Sequence, residues 1–314
     1  MSVYVFGSIN TDIIAKVRRI PNPGETMIAQ SSITKPGGKG ANQAVAAARA
    51  GSVVKMIGRL GQDLFADAAI ENLSKNGIDT ACVGRSAKAS GVALINVDQR
   101  GENCIVVVPG ANEDVVAADF KFSAFSANDA LVLQMEVPIE ESLKLLQSVK
   151  GKIKTKILNV APFAKLPMDI YQYLDYLIVN EHEAVGIAKL LNMDYNLLPA
   201  KLAENIAHKI PCRVIVTNGA EGCYLASRDD VWHIPAMVVQ PVDTTGAGDT
   251  FCGIFAALLE QGKTDIEAAK IASVGASLAC LVEGAQDGMP KLDKIMSCID
   301  QLPPVKKLAT RLAG

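Results

Sequence analysis

The chain has 314 residues, of which 49% are hydrophobic and 20% are charged, a balance typical of a folded globular protein rather than a disordered chain. A net charge of −2 and a pI near 6.0 argue against the strongly basic surface of a nucleic-acid-binding protein. No apolar run is long enough to span a bilayer, and residues 1–6 lack the features of a signal peptide. We therefore expect a cytoplasmic protein without nucleic-acid or membrane partners.

Short β-type runs alternate with helical ones along most of the chain. Strands are predicted at residues 3–8, 53–57, 131–135, 156–160, 176–179 and 214–217. Helices are predicted at residues 41–50, 140–149, 199–209 and 250–260. This alternation predicts an α/β fold: a doubly wound, mainly parallel sheet with helices on both faces.

One section breaks the alternation. Two β runs at residues 91–98 and 103–108 flank a short turn that contains Gly101, which predicts a hairpin. Residues 27–35 are also extended without a helix of their own. We predict that these pieces form a small separate sheet, which either covers an active site or pairs with another subunit. The chain is interpreted as one domain, residues 1–314, with a lid formed by segments about 12–36 and 91–108.

The cysteines and histidines indicate no metal or redox site. No pair of cysteines has the short spacing of a zinc or redox motif, and most lie among apolar neighbours. We therefore expect buried free thiols and a reducing compartment. The histidines are far apart in sequence, and His182 is interpreted as an ordinary, partly exposed residue. The cysteines are Cys82, Cys104, Cys212, Cys223, Cys252, Cys280 and Cys298.

A glycine-rich turn that contains Asp249 is the most informative motif. The turn leads into the helix predicted at residues 250–260, so its glycines lie at a helix N-terminus, where N–H groups and the helix dipole favour an anion. A carboxylate beside an anion hole is suited to accept a proton from a hydroxyl that attacks a phosphoryl group. Alternatively, Asp249 only caps the helix. The motif is Asp243-Thr244-Thr245-Gly246-Ala247-Gly248-Asp249-Thr250-Phe251.

Two further motifs supply polar groups. The first, Gly37-Gly38-Lys39-Gly40-Ala41-Asn42-Gln43, also precedes a helix; it lacks Walker A spacing, but its glycines allow a ligand to approach the backbone closely. The second follows the first strand, where Asn10 and Asp12 alternate and suit the vicinal hydroxyls of a sugar. Each motif alone is also compatible with a solvated turn.

Taken together, these motifs resemble the ribokinase-like sugar kinases. The first family signature is matched by the stretches beginning at Gly7, Pro21 and Gly37, and the second by the stretch from Asp243 to Phe251. The resemblance covers essentially the whole chain and keeps the order of the motifs. It implies ATP-dependent transfer of a phosphoryl group to the 5-hydroxyl of D-ribose, which gives ribose 5-phosphate. It also implies Mg²⁺, an activating K⁺ and a homodimer formed through the lid sheets.

The resemblance assigns roles by position. Asp249 matches the catalytic base, and Gly246, Ala247 and Gly248 match the anion hole. The positions that match ribose contacts are Asn10, Asp12, Gly38, Lys39, Asn42 and Glu136. The positions that match nucleotide contacts are Thr217, Asn218, Gly219, Ala220, Glu221, Gly222, Gly248 and Ser273, with Asn180 and Glu183 beside the Mg²⁺. The positions that match the monovalent-cation site are Asp243, Thr245, Ala279, Val282, Gly284 and Gly288, and Gly288 replaces a frequent serine.

Alternative functions remain open at this point. A related kinase would act on deoxyribose, a ketohexose, a nucleoside or another sugar. A non-catalytic sugar or nucleotide sensor would not need the base Asp249. An NAD-dependent oxidoreductase is disfavoured, because Gly7-Ser8-Ile9-Asn10 stands where a Gly-x-Gly-x-x-Gly motif would follow the first strand.

Overall fold

The computed structural model describes residues 1–120 and 125–308. Within these ranges the strands are β1 (Val3–Phe6), β2 (Asn10–Lys16), β3 (Ser31–Gly37), β4 (Val54–Leu60), β5 (Asp79–Arg85), β6 (Gly91–Val97), β7 (Asn103–Val108), β8 (Ala130–Leu133), β9 (Thr155–Asn159), β10 (Tyr176–Asn180), β11 (Arg213–Thr217), β12 (Cys223–Ala226), β13 (Val231–Ile234) and β14 (Lys306–Leu308). The α-helices are α1 (Lys39–Arg49), α2 (Leu64–Lys75), α3 (Ile139–Ser148), α4 (Glu181–Leu190), α5 (Pro199–Lys209), α6 (Ala247–Glu260), α7 (Asp265–Ala279) and α8 (Leu292–Met296). None of the helices in the described ranges combines the length and apolar character of a membrane span.

Ten strands form the central sheet in the order β14-β13-β12-β11-β10-β9-β8-β1-β4-β5. The strands from β11 to β5 are parallel, whereas β12, β13 and β14 pair in antiparallel fashion at one edge. The predicted doubly wound, mainly parallel α/β fold is therefore confirmed. The antiparallel extension was not predicted, because its strands are three or four residues long and lack a strong apolar alternation.

The two faces of the sheet are covered by different helices, as the alternation of side chains along β8 illustrates. Ala130 and Val132 pack into a core that contains residues of α1, α6 and α7, whereas Leu131 and Leu133 pack into a second core with α3, α4 and α5. Because successive side chains of a strand point to opposite faces, a strand buried on both sides is apolar at every position. β8 is fully buried along its length.

Helices α1 and α6 cross at close range, and this crossing positions the candidate site. A Cβ atom on Gly253 of α6 would lie 2.3 Å from the carbonyl oxygen of Gln43 and 2.6 Å from Cβ of Ala46, both on α1. The absence of a side chain at Gly253 thus permits the approach. As a result, the first turns of the two helices meet at the carboxyl ends of the central strands, which is where open α/β sheets bind ligands.

A second sheet has four strands in the order β3-β2-β6-β7. It begins only a few residues after β1, and Asn10 pairs with Gly37 on one side and with Gly91 on the other. The small separate sheet expected from residues 27–35 and from the hairpin is therefore present, although the strand of the first segment covers Ser31–Gly37.

Several element boundaries differ from the predicted ones. Helix α6 begins at Ala247 rather than at residue 250, since Gly246 adopts a left-handed conformation that starts the helix earlier. Strand β4 continues to Leu60, and β8 ends at Leu133 instead of residue 135.

All seven cysteines are free, but Cys104 is exposed on β7 and Cys82 and Cys280 are only partly buried. The expectation of buried thiols therefore holds for four of the seven. His182 is fully on the surface.

Candidate active site

Asp249 lies in the first turn of α6, directly after Gly246, Ala247 and Gly248. Gly246 has φ 77°, a conformation that side-chain-bearing residues rarely adopt, and a Cβ there would come within 2.9 Å of Ala285. The first N–H groups of a helix have no acceptor within the helix, so this turn offers free donors together with the positive end of the dipole. Gly248 is exposed, which leaves the turn open to a ligand.

The Asp249 carboxylate is 7% exposed and is held by two side chains of α1. Asn42 Nδ2 donates to Asp249 Oδ2 at 2.9 Å, and Gln43 Nε2 donates to Asp249 Oδ1 at 2.9 Å. Asp249 is therefore more than a helix cap, because its oxygens face a neighbouring helix instead of the N–H groups of its own first turn.

Three carboxylates surround the Lys39 ammonium group. Burial alone would lower the pKa of Lys39, but the charges of Asp249, Glu136 and Glu183 raise it. Burial together with the charges of Glu136 and Asp249 raises the pKa of Asp12 to about 6, despite the opposing effect of Lys39. The centre of the site thus carries an excess of negative charge, partly or fully buried, around one lysine, and hydroxyl groups of a ligand can hydrogen-bond to these carboxylates.

Glu136 joins the end of β8 to the first turn of α1. Its Oε2 accepts hydrogen bonds from Ser8 Oγ at 2.6 Å and from the Lys39 backbone N–H at 3.1 Å. Glu136 therefore caps α1, because Gly38 at the N-cap position has no side chain that could do so. Glu136 lies three residues beyond the end of β8 and is partly buried.

Asn10 and Asp12 lie on the same face of β2, as their spacing predicted. Asn10 Oδ1 accepts a hydrogen bond from Asn112 Nδ2 at 2.7 Å, and Asn112 also binds both backbone groups of Ile9. Asn10 is therefore fixed from behind by a buried asparagine that the motifs did not identify. Asp12 packs tightly against Gly37, whose Cβ would lie only 2.1 Å from Asp12 Oδ1.

A cavity of about 320 Å³ lies on the other side of the α6 N-terminus. It runs from the turn after β11 to α7, and Ala247 and Gly248 form part of its wall. The wall within the described residues contains no charged side chain and is mostly apolar. Of the residues matched to nucleotide contacts, Thr217, Gly219, Ala220, Gly222, Gly248 and Ser273 line it, whereas Asn218, Glu221, Asn180 and Glu183 lie outside the lining.

Three of these residues have clear local structural roles. Ser273 Oγ donates to the carbonyl oxygen of Pro235 at 2.7 Å. Asn180 and Glu183 form a capping box at the start of α4: Asn180 Oδ1 accepts from the Glu183 N–H, and Glu183 Oε2 accepts from the Asn180 N–H, each at 2.8 Å. Burial raises the pKa of Glu183, although the Asn180 N–H partly offsets this effect.

The positions matched to a monovalent cation surround the loop after α7. Asp243 accepts from the N–H groups of Thr245 at 2.9 Å and Gly284 at 2.8 Å. Burial alone would raise the pKa of Asp243, but these hydrogen bonds bring it below the ordinary value. A Cβ on Gly288 would lie 2.4 Å from the carbonyl oxygen of Ala279 and 3.3 Å from that of Val282. Gly288 is therefore packed against these two carbonyl oxygens, which leave no room for a side chain there.

The structure thus gathers many of the predicted residues into two adjoining regions. Asn10, Asp12, Gly38, Lys39, Asn42, Glu136 and Asp249 form a polar centre, and the turn after β11 with Ser273 forms the cavity. Motif spacing missed Gln43, Asn112, Gln134 and Gln286, which hold the polar centre from behind. Only Gln43 lay within a recognised motif; the others sit in stretches with no local signal.

The chain matches the pfkB family of carbohydrate kinases over residues 1–292. It is 35% identical over 304 residues to a ribokinase of Lactococcus lactis, covering 96% of this chain and 97% of the relative. A deoxyribokinase of Salmonella typhi is 35% identical over 299 residues, covering 94% of this chain and 97% of the relative.

Among solved structures, Arabidopsis thaliana ribokinase complexed with ribose and ATP superposes with a TM-score of 0.83 at 29% identity, covering 95% of this chain and 98% of that one. The agreement extends from the central sheet to the small sheet, because nearly the whole of both chains is included. Since the family match spans most of the sequence and the relatives are matched over nearly their full length, the chain belongs to the pfkB family of carbohydrate kinases.

Proposed function

We propose that this protein is an ATP-dependent ribose kinase that transfers the γ-phosphoryl group of ATP to the 5-hydroxyl of D-ribose. The observation that carries the proposal is the position of Asp249, whose neighbour Gly248 lines the cavity while its carboxylate faces the polar centre. In the proposed complex, this carboxylate lies between the sugar, which supplies the attacking hydroxyl, and ATP, which supplies the phosphoryl group. The ribokinases of Lactococcus lactis and Arabidopsis thaliana support the choice of substrates.

In the proposed reaction, the sugar hydroxyl oxygen attacks the γ-phosphorus, and the bond between that phosphorus and the bridging oxygen of ATP breaks. Asp249 accepts the hydroxyl proton and later releases it to solvent, and ADP leaves with the electron pair of the broken bond. The N–H groups at the α6 N-terminus neutralise the charge on the transferring phosphoryl group. Lys39 adds a fixed positive charge, which the surrounding carboxylates maintain at neutral pH.

The polar centre suits a small polyol. Asn10, Asp12, Asn42 and Glu136 provide amide and carboxylate groups for several hydroxyls, and Gly38 lets the sugar approach the backbone. Deoxyribose is the second candidate substrate, because the Salmonella typhi deoxyribokinase is as similar as the Lactococcus lactis ribokinase. A sensor without activity is disfavoured, since a buried carboxylate held by two amides at an anion site would serve no purpose in it.

The nucleotide is proposed to occupy the cavity, with its base near Ser273 and its phosphates at Gly248. Asn180 and Glu183 would hold Mg²⁺ through its water shell. Oxygen donors suit this ion, and the capping box engages only one Glu183 oxygen, Oε2. Bound Mg²⁺ would neutralise phosphate charge. The remaining turn residues, Asn218, Gly219, Ala220, Glu221 and Gly222, are proposed to adapt to the nucleotide through their backbone.

A K⁺ ion is proposed at the loop that follows α7. The carbonyl oxygens of Ala279 and Val282 lie beside Gly288 and would supply backbone ligands, so the site needs no side-chain oxygen from that residue. Asp243 would contribute the negative charge, with the backbone of Thr245 and Gly284 completing the surroundings. When bound, the ion adds positive potential beside the anion hole formed by Gly246, Ala247 and Gly248.

We propose that the small sheet (β3-β2-β6-β7) acts as a lid over the sugar and also forms a homodimer. Ile33, Ile14, Ile95 and Ile105 are in register across its four strands, on the same face as Asp12. Ile33 is 43% exposed and Ile105 50% exposed. Such an apolar row on an exposed sheet is stabilised when another surface covers it, and the same row of a second copy of the chain would do so.

The seven free cysteines support a cytoplasmic location.

The test is a coupled assay that measures ADP release with ATP and a panel of free sugars. We expect D-ribose to give the highest kcat/KM, with deoxyribose turned over less efficiently because it lacks the 2-hydroxyl that a site built for it would bind. Preference for deoxyribose would move the assignment to the second candidate. ADP release no higher than background with every sugar would refute the kinase proposal.

A further inference from the structure

The Asp249 carboxylate dictates the orientation of the amides that contact it. A carboxylate can only accept hydrogen bonds, so Asn42 and Gln43 must both present their NH₂ groups to it. Their oxygens consequently point away from Asp249. Each oxygen accepts from a further amide: Asn42 Oδ1 from Gln286 Nε2 at 2.9 Å, and Gln43 Oε1 from Gln134 Nε2 at 2.8 Å.

Two chains of hydrogen-bonded side chains lead away from Asp249, the Asn42 arm through Asn42 and the Gln43 arm through Gln43. The two arms differ in the side chains that follow. On the Asn42 arm, Gln286 Oε1 accepts in turn from Asn72 Nδ2 at 2.7 Å, which is partly buried. On the Gln43 arm, Gln43 and Gln134 are both 0% exposed. The second hydrogen of the Gln43 amide reaches Asn159 Oδ1 at 3.1 Å. Gln43 therefore has both hydrogens and its oxygen engaged.

The Gln43 amide cannot exchange the positions of its oxygen and its NH₂ group without losing its hydrogen bonds. In the reversed orientation its oxygen would face the Asp249 carboxylate and Asn159 Oδ1, while its NH₂ would face the NH₂ of Gln134. Each of these buried groups would lose its hydrogen bond without regaining one from water. The arrangement thus has one stable orientation, and it fixes Asp249 Oδ1 from the side opposite to the polar centre.

We propose that Gln43 is a positioning residue that sets the orientation of the Asp249 carboxylate and that Gln134 acts through it. The inference rests on the proposed kinase function, in which Asp249 accepts the proton of the sugar hydroxyl. Gln43 is completely buried and does not reach the substrate, so its contribution is to the geometry of the base. Catalysis is sensitive to such geometry, because small displacements of a reacting group lower the rate substantially.

The experiment compares Gln43→Met, Gln134→Met and the double variant. Met fills a similar volume and removes the amide. For Gln43→Met we expect kcat to fall about 30- to 100-fold with the KM values for ribose and ATP changed less than about threefold. For Gln134→Met, which leaves the Asp249 contact in place, we expect about a 3- to 10-fold fall. The double variant should resemble Gln43→Met to within about twofold, because Gln134 has no other route to Asp249.

The controls separate positioning from general stability. Val149→Ala, in the opposite core, lowers the melting temperature without touching the site, and its kcat should stay near that of the wild type. If Gln43→Met does not fold, Gln134→Met alone carries the test through its split between kcat and KM. Unchanged kcat in either single variant, or losses that multiply in the double variant, would overturn the proposal.

Asp249→Asn distinguishes this proposal from the function on which it rests. If Asp249→Asn retains turnover, the base assignment fails and with it the role of Gln43. If Asp249→Asn is inactive while Gln43→Met keeps the wild-type kcat, only the positioning role fails.

Discussion

The polar centre and the cavity share the N-terminus of α6 but are built in opposite ways. The polar centre consists of charged and amide side chains from several elements, and hydrogen bonds between side chains fix Asp249 and Asn42. The cavity is walled by small and apolar residues and by the backbone of a glycine turn. The polar centre is held rigid by hydrogen bonds between its polar groups, whereas the cavity is defined mainly by the small size of the residues in its wall.

This difference indicates how each region should respond to substitution of its residues. In the polar centre, removing one group leaves buried partners unsatisfied and shifts the reacting atoms. In the cavity, a substitution mainly changes the volume that is open to a ligand. We therefore expect variants of the polar centre to affect kcat or sugar binding strongly, and variants of the cavity to affect the KM for ATP alone.

The largest effect is expected for Asp249→Asn. The amide has a similar shape but accepts no proton, and its NH₂ group would meet the NH₂ group of Asn42 or Gln43. We expect kcat to fall by more than about 1,000-fold while the KM for ATP stays within about threefold, because the cavity is untouched. Steady-state kinetics with ribose measure both values. Retention of more than a tenth of the wild-type kcat would contradict the role of the base.

A second strong effect is expected for Asp12→Asn, with opposite consequences for binding and stability. The substitution removes a carboxylate that we place on the sugar, so the KM for ribose should rise about 100-fold, as expected for the loss of a charged hydrogen-bond acceptor. Kinetics at pH 7.5 with ribose varied and ATP saturating provide the measurement. A KM within twofold of the wild type would remove Asp12 from the sugar site.

The stability consequence follows from the pKa of Asp12, which is raised to about 6 from an ordinary value of 3.8. The folded state therefore binds more protons than the unfolded state between about pH 4 and 6, and stability falls as pH rises through that window. Asp12→Asn should raise the free energy of unfolding by about 1–2 kcal/mol at pH 7.5 and leave it nearly unchanged at pH 3.5. Urea unfolding at the two pH values tests this, with Asp79→Asn on the exposed start of β5 as the control.

The cavity gives a smaller and more selective effect. Ala276 lies in its wall on α7, so Ala276→Leu places a branched side chain into a volume of about 320 Å³. We expect the KM for ATP to rise about 10-fold with kcat and the KM for ribose nearly unchanged, because steric exclusion acts on the nucleotide alone. Ala276→Ser adds a single oxygen and should be close to the wild type. A parallel loss of ribose binding in Ala276→Leu would contradict the separation of the two regions.

The same contrast explains how far the sequence alone was informative. The central sheet was predictable because β1 and β8 are short, continuous apolar runs, and the glycine turns were recognisable because they precede helices. Gln134 and Gln286 were not predictable, because their importance depends on which residues the fold brings opposite them. The edge strands β12 to β14 were missed because their pairing, not their composition, makes them strands.

The smallest effect is expected where the small sheet meets the loop after α7. Lys16 of β2 pairs with Glu283, and Lys35 of β3 pairs with Asp287, so two ion pairs join the small sheet to the loop that carries Gly284 and Gln286. Both pairs are substantially exposed, and such pairs contribute roughly 0.2–1 kcal/mol each. Lys35→Ala should therefore raise the KM for ribose by about two- to threefold at low salt and have less effect at 0.5 M salt.

Exchange of the charges makes this last prediction specific. Lys35→Asp and Asp287→Lys should each weaken ribose binding by about threefold, because each places like charges together, and the double variant should recover most of the loss. The exposed pair Lys75–Glu71 on α2, outside this contact, is the matched control, and its exchange should leave the KM for ribose unchanged. If the double variant shows the product of the two single losses, the ion pair does not couple the small sheet to the loop after α7.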